Sequence, residues 1–345
     1  MTKDLPEGYV MPQPIWFQRI KNNIPQGFPS IQRKTLNTKQ KIYDMEKMKF
    51  ETKLKTLKTN NSPLIKAAFQ GKDGNVYFGI ILIDTGSFDC ILNKSVMDLL
   101  DDSAVRKGDS KHISTIKGES NECYAVDFTF KMGNNQEFSD VFYVSEASDF
   151  DQILVGMIGI VGSKFLIRHQ LTLDYAKEML YTSDGTFTHP DNCEFFFPME
   201  YGFKNYGIPV VGISSGENEF IMLVDSGADK TVMTSHMIDE AGLPNGNAIS
   251  NGIITLFNNR QIKTTIKNVE FCLLSVGGTE DDPKLCSYED NVQVIDEPPH
   301  IMENFKDPEG EELPPISGML SSAFMYRHKW ILDFKTGIMY CKLPE

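Results

Sequence analysis

Two stretches of the chain pair an acidic side chain with the residues that could put it to work. "LIDTGSFDCIL" covers Leu82 to Leu92, and "LVDSGADKTVM" covers Leu223 to Met233. Each ends an apolar run on Asp, then places a hydroxyl residue, Gly and a small residue. A carboxylate at the end of an apolar strand is costly to bury unless it is hydrogen-bonded or used. Two copies predict two carboxyls, Asp84 and Asp225, that face each other. Carboxyls held close cannot both ionise cheaply, so they share a proton. One then serves as base and the other as acid at the same pH. Such a pair can activate a water and protonate the amide under attack, with no covalent intermediate. Its titration belongs to the pair rather than to either residue. Gly86 and Gly227 permit a tight turn and let backbone N–H groups approach the carboxylates. Thr85 and Ser226 offer hydroxyls that could tie the two loops together. Ser87 can donate to Asp84 while Ala228 cannot donate to Asp225, which predicts that Asp84 ionises more readily.

The elements that must carry these residues read mainly as strands. "LIKAAFQGKDGNVYFGIILIDTG" is strand, turn, strand, with Asp73-Gly74 as the hairpin signal. "YAVDFTFKMGNNQEFSDVFYV" alternates around Gly-Asn-Asn, and "IPVVGISSGENEFIMLVDSG" repeats the strand, turn, strand, Asp scheme. A second repeat follows at a distance. "GIVGSKFLIRHQLTLDYAKEMLYT" from Gly159 aligns without a gap on "GMLSSAFMYRHKWILDFKTGIMYC" from Gly318. Each half therefore runs hairpin, Asp motif, short helix, more strands, a Gly-apolar element and a final strand pair. Asp174 and Asp333 read as turn residues. Phe165 and Phe324 read as core and Cys90 as a buried strand residue. Arg168-His169 and Arg327-His328 read as helix ends.

The two Asp motifs and the late Gly elements resemble those of the retropepsin-like aspartic peptidases. The likeness covers residues 63–183 and 208–345. It implies an all-β, bilobal, acid-protease-like barrel fold, with two duplicated lobes about a pseudo-twofold axis. It implies catalytic roles for Asp84 and Asp225, supported by Thr85, Gly86, Ser87, Ser226, Gly227 and Ala228, with a bound water, no metal and no cofactor. The substrate implied is a peptide or protein held under hairpin flaps, for which 112–125 and 252–264 are the candidates. Retroviral enzymes of this group are homodimers with one motif per chain. Two motifs here imply a monomeric pseudo-dimer. The second half departs by carrying Ser321 where the first has Gly162, which predicts looser support for its loop.

The expected organisation is a basic arm at 1–62 with an amphipathic helix over 38–59, a first lobe at 63–183, a linker at 184–207 and a second lobe at 208–345. Residues 1–60 hold 12 Lys/Arg and 5 Asp/Glu, a net of +7, against −20 for the remainder. An acidic body of this size is a poor partner for nucleic acid. It suggests instead that the arm meets an acidic partner or its own body, where it either restrains activity or packs on the back of the first lobe as scaffold. The acidic stretch 276–315 reads as a surface insertion. No apolar run is long enough for a membrane span, and the first residues lack a leader pattern. A cytoplasmic protein is expected, or a periplasmic or secreted one if a leader has been removed. The six cysteines form no CxxC pair, so a structural zinc site is not expected. Two other readings compete. Duplicated actin-like and sugar-kinase ATPases also place Asp-x-Gly at hairpins, but need long helices alternating with strands. A non-catalytic peptide-binding protein of the same fold would keep the cleft without the chemistry.

Overall fold

The computed structural model describes residues 50–56, 61–114, 120–150, 154–183, 195–198, 208–215, 218–255, 261–276, 283–296 and 315–341. The fold is all-β, with two closed six-stranded barrels. In the first barrel, Pro63–Gln70 pairs with Val76–Asp84, which runs parallel to Met157–Gly162. The ring continues through Cys90–Leu92, Gln136–Val144 and Ser120–Met132, which returns to Pro63–Gln70. The second barrel repeats this circuit with Val210–Ser215, Asn218–Asp225, Ile316–Ser321, Val232–Thr234, Pro283–Ile295 and Gln261–Val276. The alternation visible in the sequence is the reason. In Pro63–Gln70, Ile65, Ala67 and Phe69 point into the core while Lys66 and Gln70 are exposed. The Asp73-Gly74 hairpin forms as expected, with Gly74 at φ +80° and Asn75 N–H donating to Asp73 Oδ1. A left-handed turn of this kind favours glycine.

The second barrel's sheet extends through Phe195–Pro198 into strands that lie between the barrels. Leu171–Asp174 pairs antiparallel with Trp330–Asp333, so the final strands of the two repeats meet at the centre. Met179–Thr182 and Glu51–Lys53 flank one side, and Ile338–Cys341 and Phe195–Pro198 flank the other. The packing beneath is aromatic in both lobes. Phe165 and Phe324, equivalent in the repeat, are both fully buried, as the sequence predicts.

Three expectations change. The helix expected over 38–59 is not helical where it is described: Glu51–Lys53 and Lys55–Thr56 are strands. Tertiary pairing overrides the helical spacing here. Residues 51–53 have the open edge of Met179–Thr182 to complete, and Lys55 and Thr56 add to Pro63–Gln70. Phe50 and Leu54 are buried, Phe50 edge-on to Phe138 with centroids 5.0 Å apart. The earlier part, including Ile42 and Met45, lies outside the described residues. The expected linker at 184–207 contributes a strand of its own, Phe195–Pro198. The acidic stretch 276–315 is not a surface insertion throughout. Its portion Pro283–Ile295 is a barrel strand paired along its length with Gln261–Val276. Asp290 there is buried because Arg327 and Thr231 meet it, Arg327 Nη1 at 2.8 Å from Oδ1 and Thr231 Oγ1 at 2.7 Å from Oδ2.

Candidate active site

Asp84 and Asp225 end equivalent strands, and each strand runs parallel to the late Gly element of its own lobe. Asp84 pairs with Gly162 and Asp225 with Ser321. Both carboxyls are held the same way from their own loop. Asp84 Oδ1 accepts the Gly86 and Ser87 N–H groups, each at 3.0 Å. Asp225 Oδ1 accepts those of Gly227 at 2.8 Å and Ala228 at 3.1 Å. Each carboxyl then rests on the glycine of the opposite loop. A Cβ on Gly86 would lie 2.6 Å from both Asp225 oxygens, and one on Gly227 would lie 2.6 and 2.7 Å from those of Asp84. Any side chain at either position would strike the facing carboxyl, so the spacing of the pair requires glycine on both sides.

The loops are tied by a reciprocal set of bonds. Thr85 N–H donates to Ser226 Oγ and Ser226 N–H donates to Thr85 Oγ1, both at 2.9 Å. The Thr85 hydroxyl donates to Val224 O at 2.6 Å, and the Ser226 hydroxyl to Ile83 O at 2.7 Å. Both residues are fully buried, and these bonds satisfy them.

Outside the loops, the late element of each repeat braces its neighbour. Ser163 N–H and Oγ both donate to Ser87 O, at 2.8 and 3.2 Å. Ser322 N–H and Oγ both donate to Ala228 O, at 2.9 Å each. Ser321 therefore does not loosen the second loop. Its hydroxyl turns away to accept the Phe324 N–H at the start of the helix Ser322–Arg327. The bracing role of Ser163 and Ser322 was open to inference from the gapless repeat, which aligns them.

Electrostatics follow the geometry. Burial first, then the facing charge and hydrogen bond of Asp225, push Asp84 well above the usual carboxylate range. Burial also raises Asp225, against hydrogen bonds from Asp84 and from the Gly227, Ala228 and Gly86 N–H groups. The pair thus retains a proton at a pH where isolated carboxyls have lost theirs, and that proton belongs to the pair. The expectation drawn from Ser87 fails on geometry. That hydroxyl donates to Asp89 O at 2.8 Å and is not available to Asp84.

Apolar side chains flank the pair. Leu82 lies two residues before Asp84, on the same strand face, and joins Ile91, Phe150, Met157 and Ile160. Leu223 stands in the same relation to Asp225 and joins Val232 and Met319. Beyond Ser87, Asp89 is ion-paired with Lys111, next to the first candidate flap. Both candidate flaps are hairpins, Val105–Ser114 with Ser120–Met132 and Ser250–Thr255 with Gln261–Val276. Their tips at 115–119 and 256–260 lie outside the described residues.

The remaining assignments fall into place as structure. Asp174 Oδ1 accepts the Lys177 N–H at 2.8 Å and Asp333 Oδ1 the Lys335 N–H at 2.9 Å, both closing turns. Arg168 and Arg327 end the helices Ser163–Arg168 and Ser322–Arg327 and pair with Asp140 and Asp290. Cys90 is buried, and burial pushes its thiol well above the usual range. Among the described residues, no group of three or more His, Cys, Asp or Glu is placed to hold a metal ion. No described helix is long and apolar enough to cross a membrane. No protein-family model matches the chain, and no curated protein matches it.

Proposed function

We propose that the chain is an aspartic endopeptidase of the retropepsin-like kind, working as a single-chain pseudo-dimer on peptide or protein substrates. The observation that carries this reading is the mutual seating of Asp84 and Asp225 on Gly227 and Gly86. In the proposed reaction, a water between the carboxyls loses a proton to the ionised member of the pair as it attacks the scissile carbonyl. The protonated carboxyl gives its proton to the carbonyl oxygen, forming a tetrahedral diol; as the diol collapses, one of its hydroxyls returns a proton to the pair while the pair protonates the departing amine. The two carboxyls end with one proton between them, as they began.

The phosphate-handling alternative needs long helices between strands, whereas the described helices span at most six residues, as in Ser235–Glu240. A peptide-binding protein without chemistry would need neither the shared proton nor glycine beneath each carboxyl. The test is hydrolysis of an unbiased peptide library by the full chain, with and without pepstatin, against the Asp84→Asn and Asp225→Asn variants. Cleavage that is pepstatin-sensitive and absent from both variants supports the reading. Binding of peptides with no cleavage by the intact chain at any pH from about 3 to 8 favours the non-catalytic alternative.

A further inference from the structure

The two halves of the site are nearly equivalent, and one buried hydroxyl breaks that equivalence. Tyr175 follows the central strand Leu171–Asp174, on the same face as Leu171 and Leu173, and all three are fully buried. Its counterpart in the repeat is Phe334, also buried. The backbone confirms the match: Tyr175 N–H donates to Trp330 O, and Phe334 N–H to Leu171 O, both at 3.0 Å. The difference between them is therefore one oxygen. Tyr175 Oη is buried and makes no hydrogen bond of ordinary geometry, yet it lies close enough to the Ser226 side chain, and to Asp225 and Asp84, for them to act on it. Its ring meets the uncharged Tyr326 edge-on, at 6.5 Å.

A buried hydroxyl without a partner is costly and uncommon. Ser226 Oγ already accepts from Thr85 N–H and donates to Ile83 O, but a hydroxyl oxygen has a second lone pair to accept with. Thr85 has no equivalent neighbour, because Phe334 carries no oxygen. Resting on the peptidase reading for its catalytic consequence, we propose that Tyr175 is a positioning residue for the acid pair. Its hydroxyl donates toward Ser226 on one side only, and so makes two otherwise matched loops inequivalent. The O–H dipole then presents its positive end to the carboxyls and favours their singly ionised form. Accepting this bond also polarises the Ser226 hydroxyl, strengthening its hold on Ile83, the residue before Asp84.

The test is Tyr175→Phe, which removes one oxygen and keeps the ring. Two readouts are followed: the acid limb of kcat/KM against pH, and the titration of carbon-13-labelled Asp carboxyls, which needs no activity. Loss of the dipole should move both upward by about half a pH unit to one unit, with the melting temperature unchanged or raised. Phe334→Leu is the control. It alters packing at the equivalent place and should lower the melting temperature without moving the titration. A Tyr175→Phe protein whose carboxyls titrate as in the parent overturns the proposal, whether or not its melting temperature falls. If the parent cleaves no peptide, the peptidase reading fails, and the carboxyl titration still decides the role of Tyr175.

Discussion

Thr85 and Ser226 exchange the same pair of bonds in opposite directions. Each hydroxyl accepts the other residue's N–H at 2.9 Å and donates to the carbonyl just before the other lobe's Asp. Each lobe's Asp is thus positioned by the opposite lobe. Ser226→Ala strips Thr85 N–H of its acceptor and Ile83 O of its donor, and Thr85→Val does the same in reverse. Each should cost about 1–3 kcal/mol by urea denaturation, as expected for buried groups left unpaired. The double variant should cost less than the sum, because both singles break one network. Additive losses would mean that the two residues act separately.

The acid pair should weaken the fold at neutral pH. Both carboxyls are raised above their ordinary values, so the folded state binds more protons than the unfolded state once pH rises past about 4. Stability contributed by the pair is complete below that pH and declines as pH rises through the folded values. Asp84→Asn or Asp225→Asn removes one of the two charges. Each variant should match the parent near pH 4 and exceed it at pH 7 by on the order of 1 kcal/mol. Variants less stable than the parent at pH 7 would show that the carboxyls do not repel.

The first described residues carry a third prediction. Residues 1–49 hold 9 Lys/Arg and 4 Asp/Glu, a net of +5. A chain beginning at Phe50 should keep the parent melting temperature and, if the arm restrains activity, turn over peptides faster. A chain beginning at Asn61 loses the strands at 51–56 together with buried Phe50 and Leu54. Truncating two such side chains costs several kcal/mol, about 2–5 each, so this chain should melt much earlier or fail to fold. Equal melting of the two would deny the strands a structural role.

Much of this site was legible because its signals are local and repeated. Asp, hydroxyl and Gly stand in consecutive positions, and the gapless tail repeat locates the partner element for each. What was hidden depended on contacts distant in sequence. Residues 51–53 read as helix because their partner, Met179–Thr182, lies far along the chain. Pro283–Ile295 read as surface because it falls in an acidic, Pro-rich stretch with no match in the first half, and nothing local reveals that Arg327 neutralises Asp290. Ser87 was read as a donor to Asp84, but a side-chain hydroxyl chooses among nearby acceptors, and the Asp89 carbonyl won. Tyr175 gave no signal at all, since a Tyr and a Phe at matched positions both read as core.

The most direct test of the central claim is the pH profile of peptide-library hydrolysis by the parent, Asp84→Asn and Asp225→Asn chains at equal, folded concentration. The account predicts a parent profile with an acid-side and a base-side limit, set by the first and second protons of the pair. It predicts a loss of kcat on the order of a thousandfold or more in each variant. Near-parental activity in either Asn variant, at any pH, would show that its carboxyl takes no part and would contradict the account.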